Sequence, residues 1–110
     1  MSALDQTFAA LADPTRRGVI ELLRQRPWRA GELAAQFGAS APAMSRHLKV
    51  LRLRGLVEED RGERADSRLR FYRLRRQRFA ELRTWLDRVE GFWTDQLGAF
   101  KTHVAGKRKR

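Results

Sequence analysis

Apolar positions along the chain fall into runs of different period, and turn residues separate them. Leu4, Phe8 and Leu11 stand at i, i+4 and i+7, the spacing of a short helix with one apolar stripe. Asp13-Pro14 restarts the chain, with Asp13 suited to cap a second helix and Pro14 to open it. Val19, Ile20, Leu22 and Leu23 supply the buried side of that helix, and Pro27 ends it. After a brief extended piece at Trp28-Arg29, residues 31–37 read as two helical turns that stop at Gly38. Ser40 can cap a further helix over 41–54, closed by Gly55. Two short helices joined by a Gly-containing turn are the helix-turn-helix signature.

Residues 56–61 and 69–74 read as two strands of a β-hairpin, with Gly62, Asp66 and Ser67 in a long polar tip. The last segment places Phe79, Leu82, Leu86, Val89, Trp93, Leu97, Phe100 and Val104 in steps of three and four, which predicts about 39 Å of helix. The pattern therefore predicts a mainly α protein with one β-hairpin. Residues 1–104 are expected as one domain and 105–110 as a basic disordered tail.

Charge changes the picture most. Lys and Arg total 24 against 13 Asp and Glu, a net charge of +11. Counterion release makes a polyanion such as double-stranded DNA the natural partner of so small a basic chain. With no cysteine, thiolate metal sites, disulfides and cysteine nucleophiles are excluded. The first six residues have no signal-peptide pattern, and no apolar run approaches the roughly 20 residues that span a bilayer. The expectation is a soluble cytoplasmic protein with no membrane partner. No nucleophile–base pair or phosphate-cradling glycine loop points to an enzyme.

On a helical wheel, residues 41–54 separate into two faces. Met44, Leu48 and Leu51 fall together toward a core. Pro42, Arg46 and Lys49 fall roughly opposite, with Ala43 and Ser45 on the flanks. Small residues near the start permit close approach to a major groove, where Pro42 or Ala43 can touch a thymine methyl and Arg46 can reach guanine. These three are the candidate base contacts. Ser40, Ser45, His47 and Lys49 are candidate contacts to the DNA backbone, and the Ser40-capped turn offers backbone N–H groups to phosphate. For His47, packing or bonding to the scaffold stands beside the phosphate contact.

The last helix carries more apolar surface than one face requires, since Trp85 and Phe92 widen the stripe beside Trp93. Each buried aromatic contributes roughly 2–3 kcal/mol, so leaving several in water is unfavourable. A second copy is the expected cover. The interface is assigned to Leu4, Phe8 and Leu11 of the first helix with Trp85, Val89, Phe92, Trp93, Leu97 and Phe100 of the last. Gly91 and Gly98 sit on one side of that helix, where they serve either close helix approach or a bend.

Asp13-Pro14-Thr15-Arg16-Arg17, Gly31-Glu32-Leu33-Ala34, the run Ala43-Met44-Ser45-Arg46-His47-Leu48-Lys49-Val50-Leu51-Arg52, Gly55-Leu56-Val57 and Tyr72-Arg73-Leu74 together resemble the ArsR family of bacterial transcriptional regulators. The resemblance runs in collinear order over about three quarters of the chain. It implies a winged helix-turn-helix homodimer that represses when bound to its operator. Residues 41–49 would then read bases, with 57–74 as the wing. Two departures matter. The helix that carries cysteines in metal-sensing members reads Glu32-Leu33-Ala34-Ala35-Gln36 here, and Asp87 is followed by Arg88 and Val89, leaving His103 alone near the end. One imidazole with scattered carboxylates is poor zinc coordination, so no metal site, no cofactor and no particular small-molecule effector is assigned. The wing is also longer than is usual for the family. Its Arg64 and Arg68 are assigned to the DNA backbone, with the neighbouring acidic residues paired or facing away. A nonspecific nucleoid or RNA-binding protein is the alternative that the charge alone allows.

Overall fold

The computed structural model describes residues 2–60 and 70–108, the side chains of 99–108 excepted. Helix α1 (Ala3–Leu11) begins at Ser2, whose hydroxyl accepts from the Asp5 N–H at 3.1 Å while Asp5 returns the bond to the Ser2 N–H at 3.3 Å. Its buried residues are Thr7 and Ala10, and Phe8 is 41% exposed. The expected Leu4, Phe8 and Leu11 stripe is thus split: Leu4 is half-buried, and Leu11 packs on the core of its own chain. Ala10 joins the core, and the buried Thr7 hydroxyl donates to the Ala3 carbonyl at 3.1 Å.

Helix α2 (Pro14–Gln25) starts as its sequence dictates, with Asp13 Oδ2 accepting from the Arg16 N–H at 2.9 Å. The two arginines of that turn work backwards. Arg16 donates to the Ala10 and Ala9 carbonyls at 2.7 and 3.2 Å, and Arg17 to the Leu11 carbonyl at 2.7 Å. They satisfy the carbonyls that α1 leaves open at its C-terminus. Strand β1 (Trp28–Arg29) follows, its Trp28 Nε1 donating to the Leu22 carbonyl at 3.1 Å and its ring lying 3.8 Å beneath the Arg26 guanidinium.

Helix α3 (Ala30–Phe37) ends at Gly38 with φ +60, and the Ala39 N–H closes on the Ala34 carbonyl at 2.9 Å. Only glycine enters that left-handed geometry without penalty. Helix α4 (Ala41–Leu53) begins three residues later with Ser40 Oγ accepting from the Ala43 N–H at 3.2 Å. Strands β2 (Val57–Asp60) and β3 (Phe71–Leu74) form the hairpin, and β1 adds antiparallel to β3 to give the order β1-β3-β2. Register pairs Val57 with Leu74 and Glu59 with Tyr72 on one side of β3, and Trp28 with Tyr72 on the other. The expected hairpin is therefore two strands of a three-stranded sheet, since Trp28-Arg29 lacks a partner until β3 supplies one.

The core gathers Val19 and Leu23 of α2, Leu33 and Ala34 of α3, Met44, Leu48 and Leu51 of α4, and Leu56 and Val57, closed by Ala10 of α1. The chain falls into two compact units, Met1–Phe79 and Ala80–Arg110, and the expected domain over 1–104 spans both.

The second unit belongs to helix α5 (Arg76–Arg108). Arg83 reaches Asp87 one turn on at 2.9 Å, a pairing typical of a solvated helix face. Leu86, Val89, Phe92, Trp93 and Leu97 are 39–61% exposed, while Leu82 and Trp85 are half-buried. A Cβ added at Gly91 or Gly98 meets nothing within 4 Å, so the single chain supplies no packing reason for either glycine. α5 includes 105–108, assigned from the sequence to a disordered tail. That stretch has one glycine and no proline to stop a helix.

Candidate nucleic-acid interface

The surface that can meet a duplex is built on α4. Its inner side is fixed by Met44, Leu48 and Leu51, each 1% exposed or less. With those three seated, helical geometry leaves Pro42, Ser45, Arg46, Lys49 and Arg52 in solvent and Ala43 half-buried. The candidate base contacts Pro42, Ala43 and Arg46 thus lie together on the outer side of the first turns, with Lys49 one turn further on. Among the described residues, neither Arg46 nor Lys49 lies within 4.0 Å of a carboxylate. Leu53, at the end of the same side, is 68% exposed, an apolar position that the wheel does not single out.

The N-terminal turn has less to offer a phosphate than its position suggests. Ser40 Oγ already takes the Ala43 N–H, Pro42 has no N–H, and the Met44 N–H bonds the Ser40 carbonyl. What remains is the Ala41 N–H and the Ser40 hydroxyl proton, both on an exposed edge.

His47 turns away from the outer side. Its Nδ1 lies 3.8 Å from Asp13 Oδ2, and its side chain is about one quarter exposed. The structure therefore sets it against the N-cap of α2, the scaffold role weighed beside a phosphate contact. Asp13 is held below its ordinary pKa, first by the Arg16 N–H and then by the charges of His47 and Arg16, against the opposing effect of burial. Glu32 is likewise lowered, chiefly by the Arg29 N–H that it accepts at 3.0 Å.

Beside α4, the root of the wing is a network of paired charges. Glu58 accepts from Arg73 Nε at 2.8 Å and lies 3.8 Å from Arg75, and Asp60 lies 3.5 Å from Arg73. Glu59 accepts from the Tyr72 hydroxyl at 3.0 Å and lies 4.0 Å from Arg52 of α4. Burial pushes the Tyr72 phenol up, and the Glu59 carboxylate adds to the rise, so Tyr72 stays a donor at neutral pH. The expected pairing of the wing's acidic residues thus holds for Glu58, Glu59 and Asp60. Arg64 and Arg68, assigned to the DNA backbone, lie outside the described residues. Sequence reasoning missed Arg52 and its link to Glu59, because spacing shows neither which strand passes α4 nor in what register. Among the described residues, no cluster of three potential metal ligands occurs, and no helix is long and apolar enough to cross a membrane.

A capped helix with a packed inner side and an open cationic outer side, following a tight glycine turn and followed by a sheet, defines a winged helix-turn-helix DNA-binding protein. Residues 11–60 match the model of a helix-turn-helix domain family. The chain is 43% identical over 96 residues to the HTH-type transcriptional regulator Rv2034 of Mycobacterium tuberculosis, covering 87% of this chain and 83% of that protein. It is 34% identical over 58 residues to the transcriptional repressor SdpR of Bacillus subtilis, covering 53% of this chain and 64% of that protein. A solved structure of the ArsR family transcriptional regulator RHA00566 superposes with a TM-score of 0.72 at 30% identity, over 83% of this chain and 90% of the other. The chain belongs to the ArsR family of helix-turn-helix transcriptional regulators.

Proposed function

We propose that this regulator is a sequence-specific repressor that binds an inverted-repeat operator as a homodimer, with α4 of each copy in a major groove. The observation that carries the reading is the outer side of α4, where Pro42, Ala43 and Arg46 stand together and neither Arg46 nor Lys49 has a carboxylate within 4.0 Å among the described residues. Arg46 is assigned to guanine, and Pro42 and Ala43 to thymine methyl groups. Ser40, Ser45 and Lys49 are assigned to phosphates, as are Arg64 and Arg68 of the wing. His47 is given a scaffold role in place of a phosphate contact, on the strength of Asp13. Repression rests on the name of the Bacillus subtilis relative.

Homodimerisation rests on α5. Leu86, Val89, Trp93 and Leu97 recur in steps of three and four with Phe92 beside them, a stripe that water covers poorly. A second copy provides a matching stripe under two-fold symmetry. Gly91 and Gly98 would then permit the two helices to approach closely. Such a dimer presents its reading helices to half-sites roughly 34–36 Å apart.

Selection from a random duplex library tests the reading. Enrichment should converge on an inverted repeat with half-sites about one helical turn apart, protected together from nuclease. A library that stays random after repeated rounds would contradict the reading and favour a nonspecific nucleoid or RNA-binding role.

A further inference from the structure

Arg52 lies seven residues after Ser45, on the same solvent-exposed flank of α4, beside the outer side that carries Pro42, Arg46 and Lys49. From that flank a long guanidinium side chain can reach the phosphates that border a groove entered by the outer side. Unlike Arg46 and Lys49, it has a carboxylate nearby: its Nη1 lies 4.0 Å from Glu59 Oε1. The Glu59 side chain is only 15% exposed, so its attraction for the guanidinium is weakly screened. The same oxygen accepts the Tyr72 hydroxyl at 3.0 Å, and register on the sheet sets Tyr72 directly opposite Glu59. The carboxylate is thereby held on the side of the strand that faces Arg52.

We propose that Glu59 is a positioning residue that draws Arg52 away from DNA phosphate and so holds down sequence-independent binding. This rests on the reading that the outer side of α4 faces DNA. A cation that reaches phosphate adds affinity for every sequence, and a regulator must find its site among a vast excess of other duplex. Leaving Arg46 and Lys49 open while Glu59 restrains Arg52 concentrates the attraction on the half of the helix that carries the candidate base contacts.

The test is binding of purified full-length protein to random-sequence duplex across a salt series. Glu59→Gln keeps an oxygen for Tyr72 but removes the charge that faces Arg52. It should raise affinity about threefold to tenfold and steepen the log–log salt slope by about 0.9, the signature of one added phosphate contact. Arg52→Ala alone should change affinity less than about twofold, and adding it to Glu59→Gln should restore the wild-type slope. Glu21→Gln, which makes the same change in net charge on α2, should leave the slope in place. Tyr72→Phe, which frees the carboxylate without removing it, should move affinity in the same direction by less. It carries the test if Glu59→Gln melts at lower temperature by circular dichroism.

An unmoved slope in Glu59→Gln, an equal rise in Glu21→Gln, or a slope made shallower by Arg52→Ala alone would each overturn the proposal. Wild-type protein that binds no duplex would overturn the functional reading as well. Binding by the wild type with an indifferent Glu59→Gln overturns this inference alone.

Discussion

Helix α4 seats Met44, Leu48 and Leu51 fully in the core and turns Pro42, Ser45, Arg46 and Lys49 to solvent, whereas α5 from Leu86 to Leu97 leaves aliphatic and aromatic side chains in solvent. Both helices are patterned in steps of three and four. The first buries Met44, Leu48 and Leu51 within one copy of the chain and keeps a mostly polar, cationic side, with Leu53 exposed at its end. The second keeps an apolar side. Under the proposed function, the chemistry left open on each helix matches a different partner: a charged groove for α4 and another apolar helix for α5.

The largest effect is expected on the buried side of α4, which holds the helix in place. Leu51→Ala should lower the free energy of unfolding by about 2–5 kcal/mol, measured by urea denaturation at one protein concentration. A loss below 1 kcal/mol would mean that α4 is not anchored as described. On α5 the corresponding substitution is Trp93→Glu. It should convert dimer to monomer in analytical ultracentrifugation and make unfolding independent of protein concentration, a loss of about 2 kcal/mol or more at an interface anchor. An unchanged sedimentation coefficient would remove α5 from the interface.

Smaller effects separate α4's caps from its outer side. Ser40→Ala should lower stability by roughly 1 kcal/mol through loss of the bond to the Ala43 N–H, read as a drop in melting temperature. Asp13 gives the smallest effect. Its pKa is lowered in the folded chain, so its stabilising contribution is present above the ordinary value of 3.8 and is lost as pH falls through the folded value. Asp13→Asn keeps a capping oxygen and should flatten the fall of melting temperature below about pH 4. A variant whose acid limb matches the wild type would show that Asp13 does not carry that dependence.

Local signals made most of the first unit legible from the sequence. Asp13-Pro14, Gly38 and Ser40 each act within four residues, and each bounds a helix as the sequence dictates. The wheel of α4 was legible for the same reason, because three large apolar residues on one side leave no choice of which side is out. What escaped depends on contacts distant in sequence. The burial of Thr7 and Ala10 on α1 follows from packing against residues distant in sequence, which the Leu4, Phe8 and Leu11 spacing does not show. The place of His47 beside Asp13, 34 positions away, cannot be read from spacing. The Arg52–Glu59–Tyr72 link needs both the sheet register and the place of β2 beside α4, and spacing supplies neither.

Under the proposed function, Arg46 reads a base from the outer side of α4. The direct test is the affinity of Arg46→Ala for selected operator and for random duplex, side by side at one salt concentration. The account predicts a loss of roughly 1–3 kcal/mol on operator, relaxed preference at one position of each half-site, and a much smaller loss on random duplex. Equal losses on the two would contradict it, leaving Arg46 as one phosphate contact among many.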